Sequence, residues 1–204
     1  MLITLEGIDG SGKSTLYDGL RTRLADLDPV FTKEPGSPYL GDAVRAAIAE
    51  NSDPMAEAAL FVADHAVHLA TVVRPALQEG KLVISDRYSD SRFAYQQISL
   101  KNVHPDPKAW LTAVHKGWSI RPDMTFLLTI SPEISLARVS KRGETEHFEQ
   151  KEFLEQVQKN YIDRMQEDPS RFVLVDATLP VETILEFVET SIRNRLAKKN
   201  GIRT

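Results

Sequence analysis

The segment Gly7-Ile8-Asp9-Gly10-Ser11-Gly12-Lys13-Ser14 sets glycines, a lysine and a hydroxyl at a spacing that can wrap a chain of phosphates. Glycines let successive backbone N–H groups converge on phosphate oxygens, Lys13 would reach the terminal phosphates, and the Ser14 hydroxyl would sit on Mg²⁺. The stretch Gly7 to Thr15 therefore reads as a P-loop for a nucleoside triphosphate, with Gly7, Ile8, Asp9, Gly10, Ser11, Gly12, Lys13, Ser14 and Thr15 as its contacts. A second constellation is Asp86-Arg87-Tyr88. Asp86 is suited to organise the metal's shell, and Arg87 to clamp a further phosphate through two parallel hydrogen bonds. Its bland alternative is a surface ion pair that ends a strand. The Asn-Lys-x-Asp and Asp-x-x-Gly segments expected of a GTPase are absent from the chain, which disfavours that class.

The elements that must position these residues follow from apolar patterning. Short apolar runs predict strands over residues 2–6, 29–32, 81–85, 124–130 and 171–176. Helical stretches are predicted over 15–24, 54–80, 132–142, 150–166 and 180–198, the second opened by Asp53-Pro54. Alternation of strand and helix implies a parallel sheet covered on both faces, with ligands gathered beyond the carboxyl ends of the strands. The fold expected is α/β, a three-layer P-loop NTPase with five parallel strands, in one domain over residues 1–204. At 204 residues and a net charge of −4, with pI near 5.8, the chain has no long basic stripe for nucleic acid. It has no cysteine, hence no disulfide and no thiolate zinc site. The expectation is a soluble cytoplasmic protein, since no leader pattern opens the chain and no apolar run approaches the roughly 18 residues that span a membrane.

Several segments, taken in order, resemble the thymidylate kinases among the P-loop nucleoside monophosphate kinases, and the resemblance covers nearly the full length. They are the P-loop, Thr32-Lys33-Glu34-Pro35-Gly36, Arg45 on the following helix, Leu60-Phe61-Val62-Ala63-Asp64, and Asp86-Arg87-Tyr88 through Ala94-Tyr95-Gln96. The resemblance implies ATP as co-substrate, Mg²⁺ held by Ser14 and Asp86, and thymidine monophosphate as acceptor. It places Asp9 and Tyr95 near the acceptor sugar, Lys33, Arg45 and Arg87 at its phosphate, Phe61 stacked on thymine, and Gln96 on the pyrimidine edge. Glu34, Pro35 and Ser91 complete that pocket. Arg138, Lys141, Arg142 and the residues to Glu149 look like the family's LID, so Arg142 and then Arg138 join Lys13 and Asp86 as catalytic residues. A homodimer is implied as well.

Phe61 permits a check that needs no family. At 100° per residue, Val62, Ala66, Leu69, Val73 and Leu77 form one apolar stripe, and Phe61 shares a different face with Asp64, His65 and His68, a polar surface that suits a cleft. Two positions depart from the family pattern. His65 stands where an arginine usually donates to the base carbonyl, and Arg92 stands where a small hydroxyl residue is common. Arg92 is expected to reach that carbonyl in place of His65. Two other readings stay open: a P-loop kinase for another nucleotide or deoxynucleoside, and a non-catalytic ATP-binding module.

Overall fold

Five parallel strands, β1 (Leu2–Gly7), β2 (Val30–Lys33), β3 (Val83–Asp86), β4 (Met124–Thr129) and β5 (Phe172–Asp176), form one sheet in the order β2-β3-β1-β4-β5. The computed structural model describes residues 1–140, 151–199 and 201. All five predicted strands are present, with ends within a few residues of expectation. In-register pairing sets Leu2 opposite Val83 and Ile3 opposite Ile84. Because side chains alternate across a strand, Ile3, Leu5 and Ile84 enter one apolar cluster while Leu2 and Val83 join Leu69, Val73 and Ala76 in another. The sheet is thus covered on both faces.

The helices are α1 (Lys13–Arg23), α2 (Leu40–Ala49), α3 (Pro54–His68), α4 (Arg74–Gln78), α5 (Ser89–Ser99), α6 (Pro107–His115), α7 (Pro132–Ser140), α8 (Lys151–Glu167) and α9 (Val181–Lys199). The pairs α1–α9 and α5–α8 pack together. Asp53 caps α3, its Oδ1 accepting from the backbone N–H groups of Met55 and Ala56 at 3.0 Å, with Pro54 at the first helical position. Asp106-Pro107 starts α6 by the same device. The predicted helix over 54–80 is continuous but widens to a π turn at Leu69–Val73 before α4. Pro75 lacks an N–H and its ring would crowd the carbonyl of Thr71, and the wide turn relieves that conflict.

One expectation is corrected here. The stretch 54–78 is long and apolar enough, by length and composition alone, to cross a membrane, with a mean hydropathy of 1.3 over an 18-residue window. Interspersed polar residues hid it from a count of consecutive apolar positions. Asp64, His65 and His68 on that stretch are buried and hydrogen-bonded to other parts of the chain, which is the pattern of a core helix.

The even-numbered face of β1 carries Thr4 and Glu6, both buried. Thr4 meets Thr125 at 2.7 Å, Thr125 accepts from Arg171 at 2.6 Å, and Arg171 makes two 2.7 Å bonds to Asp90, which also accepts from Arg164 at 3.1 Å. Removing one partner of such a pair leaves a buried charge uncompensated. Asp90→Ala should therefore lower the unfolding free energy by about 3–5 kcal/mol, read as a lower urea midpoint at unchanged slope.

Candidate active site

Gly7 ends β1 and opens the P-loop. A Cβ there would sit 2.5 Å from the Leu128 carbonyl, and one at Gly10 would sit 2.6 Å from the Ser135 carbonyl, so both positions require glycine. The loop feeds α1, whose first N–H groups face outward from the helix end and suit anionic oxygens. Lys13 is buried and donates to the carbonyls of Gly7 and Ile8 at 3.0 and 2.9 Å. An ammonium has three donors, so one remains for a ligand. Burial and the nearby Arg87 guanidinium lower its pKa to about 8.

Arg87 follows β3, whose Asp86 pairs with Leu5 of β1. It holds a left-handed backbone conformation, φ 65°, uncommon for a residue with a Cβ. Three bonds fix it: Arg87 N–H to the Leu5 carbonyl at 3.0 Å, Ser85 Oγ to the Arg87 carbonyl at 2.7 Å, and Tyr88 N–H to Glu6 at 2.9 Å. The guanidinium donates to the Asp9 carboxylate and to Ser91 Oγ at 3.1 Å. Tyr95 donates to Asp9 at 3.0 Å. Burial opposes ionisation of Asp9, but Arg87 and Lys13 outweigh it and hold its pKa near 2.

Two cavities flank this loop. The first, about 320 Å³, is bordered by Gly10, Gly12, Thr15, Arg138, Leu179 and Val181. Arg138 half-buries there and donates to the carbonyls of Gly10 and Ala177 at 3.4 and 3.1 Å. The second, about 280 Å³, brings together Asp9, Lys33, Glu34, Pro35, Arg45, Phe61, Arg87, Ser91, Tyr95 and Gln96. These are ten of the twelve residues that the sequence placed at an acceptor. Gln96 donates to Glu57 at 3.2 Å, and Arg45 pairs with Asp42 at 2.6 Å. Arg142, and residues 141–149 of the segment expected to be a LID, lie outside the described residues.

His65 and Arg92 are the exceptions, and both expectations are corrected. His65 is 0% exposed and Arg92 2% exposed, and neither borders the cavity. The polar face of α3 is covered by the loop after β2 rather than by a cleft. Asp64 accepts from the backbone N–H groups of Gly36 and Ser37 at 3.1 and 2.9 Å. His65 and His68 both approach Glu34 Oε1, at 2.7 and 2.6 Å, while Arg92 donates to Glu34 Oε2 at 2.7 Å. Each imidazole's other nitrogen meets a hydroxyl, Ser119 at 2.8 Å and Thr32 at 2.6 Å. That pattern is satisfied by neutral rings that donate from Nδ1 and accept at Nε2. Glu34, His65 and His68 carry metal-ligating atoms within 4.8 Å of one another, yet the same atoms are already committed to these bonds. Burial and Arg92 push the His65 pKa down to about 4. Burial would raise the pKa of Glu34, but Arg92 and His65 hold it well below the usual range.

Sequence reasoning missed the residues behind the site. Glu6 looked like the end of a strand, and Tyr161 like a helix residue, yet both support Arg87. An acid closing an apolar run just before the P-loop was the available signal.

The family model described as Thymidylate kinase matches residues 5–188. Among relatives, the chain is 69% identical over 193 residues to a protein of Methanocorpusculum labreanum named "Probable thymidylate kinase", covering 95% of this chain and 98% of the other. Proteins of the same name from Methanoculleus marisnigri and Methanospirillum hungatei are 58% and 56% identical, covering 95% and 98% of this chain and 94% and 97% of theirs.

Glu6 makes the stability of the fold depend on pH. Its Oε1 accepts from the Tyr88 and Ser91 N–H groups at 2.9 and 3.3 Å, and its Oε2 from Ser91 Oγ and Tyr161 OH at 2.6 and 2.9 Å. Burial, then the neighbouring Asp90 carboxylate, raises its pKa from 4.5 to about 7. Between those values the folded state binds more protons than the unfolded, so this contribution to stability is complete below 4.5 and lost as pH rises through about 7. Unfolding free energies of wild type minus Glu6→Gln, measured by urea at a series of pH values, should fall over that window and level off above it.

Proposed function

We infer the reaction from one premise: the chain belongs to the thymidylate kinase family. It is an ATP-dependent nucleoside monophosphate kinase that transfers the γ-phosphoryl of ATP to thymidine monophosphate, giving ADP and thymidine diphosphate. The observation that carries the site assignment is that neighbouring residues of one loop, Asp9 and Gly10, border different cavities. A donor in the first cavity and an acceptor in the second would meet over Lys13 and Arg87.

On this reading the donor's phosphates lie along the P-loop N–H groups and Lys13, with the nucleoside towards Leu179 and Val181. Mg²⁺ fits two groups. Asp86 Oδ1 is buried with no hydrogen-bond partner among the described residues, and Ser14 stands exposed at the first turn of α1. When bound, the ion neutralises charge on the β and γ phosphates. The acceptor's phosphate is held by Arg87, Lys33 and Arg45, its base by the face of Phe61 and the amide of Gln96, and its sugar by Asp9 and Tyr95. An oxygen of the acceptor phosphate attacks the γ-phosphorus as the bond to the ADP oxygen breaks. That oxygen is already anionic, so no general base is needed. Arg142 first and Arg138 second are assigned to the transferring phosphoryl group from a LID over about 138–149, Arg138 also bordering the donor cavity. Two copies would pair through the half-buried apolar residues Val62 and Ala66 of α3, and the protein would act in the cytoplasm.

A panel of nucleoside monophosphates assayed for ADP release tests the reading. Thymidine monophosphate should exceed deoxyuridine monophosphate in kcat/KM by roughly 10–200-fold, the worth of one methyl in an apolar pocket, and a clear preference for another acceptor would overturn it. Phe61→Ala should raise the acceptor KM by about 5–150-fold, since base stacking is worth about 1–3 kcal/mol. For ATP, kcat/KM should decline above pH of about 8 as Lys13 of the free enzyme loses its proton. The kcat profile should fall at higher pH, because bound phosphates favour the ammonium.

A further inference from the structure

Arg92 does not border the acceptor cavity, yet it is among the largest fully buried side chains and is held from two sides. Its Nη1 donates to Glu34 at 2.7 Å, and its Nε donates to His115 Nε2 at 2.9 Å. His115 ends α6 and lies outside every motif and both cavities described above. Its Nδ1 donates to the Leu111 carbonyl at 2.7 Å, which fixes the proton on Nδ1 and the lone pair on Nε2. Trp118 stacks on the ring at 5.8 Å and 14°, and Phe93 lies 5.6 Å away. Burial and Arg92 keep the imidazole neutral, with a pKa lowered to about 3, so it accepts from Arg92 throughout the neutral range.

We propose that His115 is a positioning residue for the acceptor: by accepting the Arg92 Nε–H it holds the guanidinium against Glu34 and so fixes the wall of the acceptor cavity. This rests on the acceptor assignment above. Arg92 Nη2 already has no partner among the described residues, so removing the His115 acceptor leaves a second N–H direction of the same buried cation unpaired. The guanidinium must then turn to find a partner, and Glu34 Oε2 loses its charge-assisted bond. Glu34 borders the acceptor cavity and not the donor cavity, which makes the effect one-sided. His65 steadies the other oxygen of Glu34 from Ser119, but it cannot replace the positive charge.

Three variants of the full chain separate this role from simple packing. His115→Gln can place its amide oxygen near the position of Nε2 and keep the Arg92 bond. His115→Asn can reach only towards Leu111, and His115→Leu keeps bulk without any acceptor. Steady-state assays with Mg-ATP and thymidine monophosphate should show His115→Gln within about threefold of wild type. The Asn and Leu variants should raise the acceptor KM about tenfold, the loss expected for one buried hydrogen bond to a charged group, with kcat and the KM for ATP little changed. Circular dichroism checks folding, and the Asn–Gln pair carries the test if the Leu variant does not fold. An Asn variant that matches wild type, equal rises in both KM values, or a Gln variant as impaired as Asn would overturn the proposal. Wild-type protein that fails to phosphorylate thymidine monophosphate would overturn the reaction assigned above. Calorimetric Kd values for that nucleotide across the same variants then read the positioning role, with the same ordering expected and equal Kd values overturning it.

Discussion

The pairing of β1 with β3 is the constraint on which the rest depends. Parallel neighbours end on the same side of a sheet, and Leu5 lies opposite Asp86, so the P-loop and the Asp86-Arg87 turn emerge side by side. An antiparallel neighbour would send the second turn to the far end of the sheet. The contact of Arg87 with Asp9 is the local result, and both residues border the second cavity. The strained backbone of Arg87 belongs to the same logic. A left-handed conformation at a residue with a Cβ costs about 1–3 kcal/mol, and it persists because Leu5 and Ser85 fix the N–H and carbonyl of Arg87 and Glu6 fixes the next N–H, that of Tyr88.

The wall of the second cavity depends on a different interaction, the burial of Glu34. A carboxylate at that depth needs donors, and the fold surrounds it with two imidazoles and one guanidinium. Asp64, on the same face of α3, takes the next two backbone N–H groups of the loop. One helical face therefore fastens the segment from Glu34 to Ser37. Lys33 and Pro35, which border the cavity, inherit their position from residues that never touch it. Anchoring of this kind removes loop freedom before a ligand arrives, and that freedom would otherwise be lost on binding.

How much of this was legible depended on whether a signal was local. The P-loop, the five strands and the Asp53-Pro54 cap are written in contiguous residues, and all appear where expected. Ten of the residues expected at an acceptor border one cavity, and the family segments carry them in order. His65 and Arg92 could not. The 3.6-residue period shows that Asp64, His65 and His68 share a face, but what covers that face is set by the docking of the β2–α2 loop, which has no local signature. Glu6 was hidden for the opposite reason: strand alternation makes a buried acid look like the polar end of an apolar run. Asp106-Pro107 repeated the capping signal of α3, yet no long apolar pattern followed to draw notice to α6.

Burial first, and then the Arg87 guanidinium, disfavours the charged form of Lys13. Asp9, Asp86 and Glu6 act the other way and leave the Lys13 pKa near 8, whereas Asp9 and Asp86 help hold the Arg87 pKa well above its ordinary value. Buried charges are screened less than exposed ones, so these fields are felt more strongly here than at the surface. A phosphoryl group in transit between donor and acceptor would lie between these cations and attract both at once, whereas a donor or acceptor phosphate alone engages chiefly one. Such a site would favour the species in which the negative oxygens are shared, and the Arg87 field that, after burial, lowers the Lys13 pKa would then stabilise the transfer.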